Sequence, residues 1–139
     1  MYSSQMKVSH KKKILIVDDA KESLNLLTIL LQANNYSVES TTNGKEALMM
    51  LNKSEYLPDL IILDTQMPVM DGFEFRLLQS QSPRISKIPV LVTTGDTDSS
   101  ISKRMMYPMK IEHKPLQITP LLESITQCLS GEQPSSIQL

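Results

Sequence analysis

The sequence predicts an α/β protein: a three-layer, doubly wound domain built on a five-stranded parallel sheet. Two observations predict it. Five short apolar runs alternate with five stretches of helical character, and that alternation implies right-handed crossovers with helices on both faces of a sheet. The strongest runs, "KILIVDD" (13–19) and "PDLIILD" (58–64), stay apolar until they end in acid. That is the pattern of strands buried on both faces.

Each element has its own signal. After the first strand at 13–19, "AKESLNLLTILLQANN" (20–35) sets Leu24, Leu27, Leu30 and Leu31 on one helical face and closes on asparagines. A short alternating strand, "YSVES" (36–40), leads into the helix "NGKEALMMLNKS" (43–54), with Ala47, Leu48, Met50 and Leu51 facing inward. The strand at 58–64 follows. An Asp-Gly pair then opens a third helix over 70–81, and "IPVLVTT" (88–94) is a fourth strand. The segment 96–106 is a polar, weak helix candidate, and 108–113 is a fifth strand of low intrinsic quality. The last helix, 118–131, ends on Gly131. The architecture expected is of flavodoxin-like type, with strand order 2-1-3-4-5.

The length of 139 residues suits one domain. It is expected over 13–130, between flexible polar tails at 1–12 and 131–139. A net charge of −1 supplies no bulk attraction for nucleic acid or an anionic membrane. The one basic cluster, His10–Lys13, reads as a solubilising tail. No apolar run reaches spanning length, and the N-terminal region lacks a signal-peptide core. Cys128 is alone and sits among Leu121, Leu122, Ile125 and Leu129 at helical spacing, so it reads as a core residue. A cytoplasmic setting is expected.

The polar residues carry the chemistry. Asp18 and Asp19 end the first strand, Asp64 the third, Thr94 (or Thr93) the fourth and Lys114 the fifth. All fall at the carboxyl edge, where open parallel sheets hold their ligand crevice. Singly, each has a plainer reading: the aspartates as helix or turn caps, the threonine as a strand-end hydroxyl, the lysine as a loop charge. Together they make a set. Converging carboxylates repel unless a cation joins them, and an all-oxygen donor set suits Mg²⁺, with Mn²⁺ as the alternative ion. Asp64 can attack phosphorus as a nucleophile. Asp18, Asp19 and Asp64 would hold the metal, and Lys114 and the threonine would bind the remaining phosphoryl oxygens.

The segments "ILIVDDAKESLNLL", "NGKEAL", "DLIILDTQMPVMDGFEF", "IPVLVTTGD" and "HKPL" resemble the receiver domain of bacterial two-component response regulators, of the stand-alone, CheY-like kind. The resemblance covers roughly 12–130. It implies that Asp64 is the phosphoacceptor, that Asp18 and Asp19 are the acid pair for Mg²⁺, and that the Gln66 backbone carbonyl is a further metal contact. Counting from Pro89, it selects Thr94 as the switch hydroxyl. Lys114 becomes the phosphate-binding lysine, with a cis bond to Pro115, and the side chains of Gln66 and Asp96 tune phosphate loss. Asp71 and Gly72 shape the loop into the third helix.

The implied function is a phosphorylation-dependent signalling switch with no turnover of a separate substrate. The implied partners are a histidine kinase or histidine phosphotransfer protein and a downstream protein met through the fourth helix, fifth strand and fifth helix. The chain departs from the family pattern where Tyr107-Pro108 replaces Gly-Ala and where Ile111 replaces the usual aromatic residue. Those departures leave the phosphorylation chemistry untouched and motivate an alternative, a receiver-fold module that docks partners independently of phosphorylation. An aspartate-nucleophile phosphatase is disfavoured, because such enzymes carry an acid at the position of Gln66.

Overall fold

The computed structural model describes residues 11–131, so the tails expected at 1–12 and 131–139 lie largely outside the described residues. Strands β1 (Lys13–Val17), β2 (Ser37–Thr41), β3 (Leu60–Asp64), β4 (Val90–Thr94) and β5 (Lys110–His113) alternate with helices. These are α1 (Lys21–Ala33), α2 (Gly44–Lys53), α3 (Gly72–Ser80), α4 (Ile101–Arg104) and α5 (Ile118–Ser130). All strand pairs are parallel and the order is β2-β1-β3-β4-β5. The fold is the doubly wound, flavodoxin-like one expected.

Residue alternation along the central strands builds two cores. Leu15, Val17, Ile61, Leu63, Val90 and Val92 pack under α2, α3 and α4 with Ala47, Leu51, Phe75 and Met105. Ile14, Ile16, Leu60, Ile62 and Leu91 pack under α1 and α5 with Leu27, Leu31, Leu121, Ile125 and Cys128. Burial on both faces explains why β1 and β3 read as unbroken apolar runs. Cys128 is a core residue whose thiol burial pushes up to about 11. Among the described residues, no helix is long and apolar enough to cross a membrane.

Local chemistry sets the helix ends. Asn43 and Asp71 cap α2 and α3 by accepting the Glu46 and Glu74 N–H groups. Gly131, at φ 76°, takes the left-handed turn that ends α5. The segment 96–106 yields only one helical turn, because its side chains compete for the backbone. Asp96 accepts the Asp98 N–H and Asp98 accepts the Ser100 N–H, which holds 96–100 in turns. After α4 the chain passes through positive φ at both Met106 and Tyr107. Pro108 disfavours the right-handed region for the residue before it and has no N–H for a ladder, and β5 starts two residues later than its apolar run.

Candidate functional site

Backbone bonds just beyond the strands bring the polar residues to one edge. Asp18 N–H donates to the Thr41 carbonyl, Thr65 N–H to that of Thr93, and Lys114 N–H to that of Thr94. Each sheet ladder thus runs on one step, so the side chains leaving β1, β3 and β5 converge. One carboxylate oxygen from each of Asp18, Asp19 and Asp64 lies within 4.8 Å of the others. Lys114 Nζ stands 3.2 Å from Asp18 Oδ2 and 3.5 Å from Asp64 Oδ2. The Lys114–Pro115 peptide is cis.

Helix capping does not account for the acid pair. The N-cap of α1 is Ala20, and no side chain caps that helix. Asp18 Oδ1 instead accepts the Ala20 N–H at 2.9 Å, leaving Oδ2 to Lys114. Asp18 and Asp64 are buried, at 2% and 7% exposure, while Asp19 is exposed. Burial, then the neighbouring Asp18 charge, raises the Asp64 carboxyl from 3.8 to about 6 against the opposing pull of Lys114. The Lys114 charge opposes that rise without cancelling it.

Asp64 opens onto a crevice of about 480 Å³ lined by Thr65, Gln66, Gly95, Asp96 and Lys114. Gln66 and Asp96 thus line the crevice beside the Asp64 carboxylate. Thr94 is different. It ends β4 as expected, but it is fully buried and forms no part of that wall. Its hydroxyl lies 3.0 Å from the Thr65 hydroxyl and accepts the Asp96 N–H at 3.0 Å. Thr65 is the site residue that sequence reasoning passed over.

The donor set fits a hard divalent cation. Clustered carboxylates with an under-compensated buried Asp64 are the oxygen ligands that Mg²⁺ accepts, and no sulfur or imidazole joins them among the described residues. Such an arrangement can present one carboxylate oxygen to an electrophile while cations neutralise charge around it.

Two residues frame the far side of the site. Gly72 N–H donates to the Thr65 carbonyl at 3.0 Å, and a Cβ on Gly72 would collide with the Asp64 carbonyl oxygen and lie 2.9 Å from Met105 Cε. This close approach is what Asp71-Gly72 provides at the start of α3. Arg76, one turn on, donates from Nε to the Met105 carbonyl at 2.8 Å and from Nη2 to that of Met106 at 3.1 Å. Tyr107 is 70% exposed, and Ile111 packs against the core beneath α2, α3 and α4.

The chain is similar in sequence and fold to known proteins. A family model described as a response regulator receiver domain matches residues 14–126. The response regulator PleD of Caulobacter vibrioides is 39% identical over 83 residues, 60% of this chain but only 18% of that protein. The polar-differentiation response regulator DivK of Brucella anthropi is 31% identical over 114 residues, 73% of this chain and 91% of that one. Among solved structures, the chemotaxis response regulator CheY4 of Vibrio cholerae superposes with a TM-score of 0.78 at 30% identity, covering 86% of this chain and all of that one.

Proposed function

The chain belongs to the response regulator receiver family, and on that premise we propose that it is a phosphorylation-dependent switch of two-component signalling, with Asp64 as the phosphoacceptor. The observation that carries the reading is the Asp64 carboxylate. It is buried, open to a crevice on one side, and flanked by two further acids and by Lys114 Nζ at 3.5 Å.

In the proposed reaction an Asp64 oxygen attacks the phosphorus of a phosphohistidine on a kinase or phosphotransfer protein. The P–N bond breaks, the electron pair leaves with the imidazole, and an aspartyl phosphate remains. Asp18, Asp19 and Asp64, with the Gln66 carbonyl, would hold Mg²⁺ (Mn²⁺ in its place), which when bound offsets negative charge on the phosphoryl oxygens. Lys114 supplies a fixed positive charge at the same point and orients the phosphoryl group. Gln66 and Asp96, on the crevice wall, control how water reaches the phosphorus and so tune its loss. That hydrolysis is the only turnover in this reading, and no separate substrate is consumed. The domain over 13–130 would work in the cytoplasm.

Incubation with Mg²⁺ and a small phosphodonor such as acetyl phosphate should add one phosphoryl group, read by intact mass, and chelation or Asp64→Asn should abolish it. No adduct on the wild type, or an adduct that survives Asp64→Asn, overturns the proposal.

A second reading, phosphorylation-independent docking, has one observation behind it. The corner before β5 presents an exposed Tyr107 and sets a partly buried Ile111 against the core, so an inward-swinging aromatic residue at 111 is not available to report the phosphate. Partner affinity that is unchanged on phosphorylation would favour this second reading.

A further inference from the structure

The Thr65 and Thr94 hydroxyls meet at 3.0 Å in a contact buried on both sides, at 2% and 0% exposure. The pair follows from the sheet. Asp64 lies opposite Thr93 in the β3–β4 register, so the next residues along, Thr65 and Thr94, emerge on the same face. The Thr94 oxygen is further engaged by the Asp96 N–H. Thr94 is thus held behind the crevice wall, which Thr65 helps to form.

A threonine hydroxyl has one proton to donate and two lone pairs. An anionic phosphoryl oxygen on Asp64 accepts hydrogen bonds, and Thr94, fully buried and outside the crevice wall, serves it only by rotating its side chain about Cα–Cβ so that the hydroxyl oxygen itself moves away from Thr65 toward the crevice. If Thr94 is the donor in the present pair, that turn withdraws the proton from Thr65. If Thr65 is the donor, the turn removes its acceptor. In both arrangements a buried Thr65 hydroxyl loses its partner.

Resting on the phosphoryl-transfer reading above, we propose that Thr65 is a positioning residue for Thr94: its hydroxyl latches that of Thr94 away from the crevice and thereby opposes phosphoryl binding at Asp64. The strength of the latch follows from the loss of one buried neutral hydrogen bond, about 5- to 10-fold in a binding constant. The low end of the range for buried hydroxyls applies, because Thr65 borders the crevice and water entering there can take up part of its bonding.

The test is calorimetric titration of the full chain with beryllium fluoride in Mg²⁺, a phosphoryl mimic. Thr65→Val, which keeps the branched shape without the hydroxyl, should bind about 5- to 10-fold more tightly than wild type. Thr65→Ser, which keeps the hydroxyl, should stay within about 2-fold of wild type, and in a Thr94→Ala background Thr65→Val should gain nothing beyond that margin. Thr65→Ala provides a second hydroxyl-free side chain should valine not be accommodated. Affinity that is unchanged or weakened in the hydroxyl-free variants, or an equal gain with Thr94→Ala, overturns the latch and leaves the phosphoryl reading standing. A wild type that binds no beryllium fluoride removes the phosphoryl reading itself, and the latch with it.

Discussion

The raised Asp64 carboxyl makes the site a measurable weakness of the metal-free fold. Burial and Asp18 lift Asp64 from 3.8 to about 6. Below pH 3.8 the group is neutral whether the chain is folded or unfolded, so its contribution to stability is fully present. Between those two values the folded chain keeps a proton that the unfolded chain has released, and stability falls as pH rises. Above the folded value the contribution is lost. At 1.36 kcal/mol per pH unit, the penalty of the ionised form at pH 7.5 is roughly 2–3 kcal/mol. Asp64→Asn keeps the shape and removes the charge. In urea melts followed by circular dichroism in a chelator, the variant should match wild type near pH 4 and exceed it by roughly 2–3 kcal/mol at pH 7.5. Groups distant from Asp64 titrate alike in both proteins and cancel in the difference, whereas Asp18 and Lys114, which interact with it, do not. Mg²⁺ at about 100 times its dissociation constant should restore about 2.7 kcal/mol to the wild type and close most of the gap. An Asn variant no more stable than wild type at pH 7.5, or a difference that does not change with pH, would refute the reasoning.

Two further predictions concern the framework. Gly72→Ala should destabilise the fold by about 3 kcal/mol, because the added methyl meets the Asp64 backbone and Met105 Cε at once and backbone cannot yield as a flexible side chain can. A denaturant midpoint within error of wild type would contradict that. Arg76 is a half-buried cation whose desolvation lowers its pKa, and it holds the carbonyls of Met105 and Met106 together with the Gln79 amide oxygen. Arg76→Met should cost about 2 kcal/mol and speed amide exchange at Met106 and Tyr107, whose N–H groups close the turn after α4 onto Lys103 and Ser102.

The fold was legible where burial dictates composition. Strands β1, β3 and β4 lie between two helical layers, so nearly every position must be apolar, and runs such as "LIIL" announce themselves. The opening of α3 at Asp71-Gly72 and the stop at Gly131 were equally plain, since each residue type answers a local backbone demand. The stretch from 96 to 110 was not. There Asp96 and Asp98 spend their oxygens on nearby N–H groups, and the turn after α4 is held by Arg76 from a different helix. Neither the shortened helix nor the positive φ at Met106 and Tyr107 follows from periodicity: local side-chain bonds within 96–100 shorten the helix, and the bonds from Arg76 hold the turn after it.

The site divides along the same line. Asp18, Asp19, Asp64 and Lys114 could be picked out because charge is conspicuous at the end of a buried strand, and the parallel order of the sheet then carries them to one edge. Thr65 could not. Directly after an apolar strand, a threonine reads as an ordinary β-branched residue that packs well, whatever its hydroxyl does. Its partner lies 29 positions along the chain, and the two meet only because β3 and β4 are adjacent and paired with Asp64 opposite Thr93. Slipping that register by one residue would turn one of the two hydroxyls to the opposite face of the sheet. A charge pattern thus announces where an acid cluster and its lysine meet, whereas the neutral hydrogen bond between Thr65 and Thr94 exists only at the level of strand pairing.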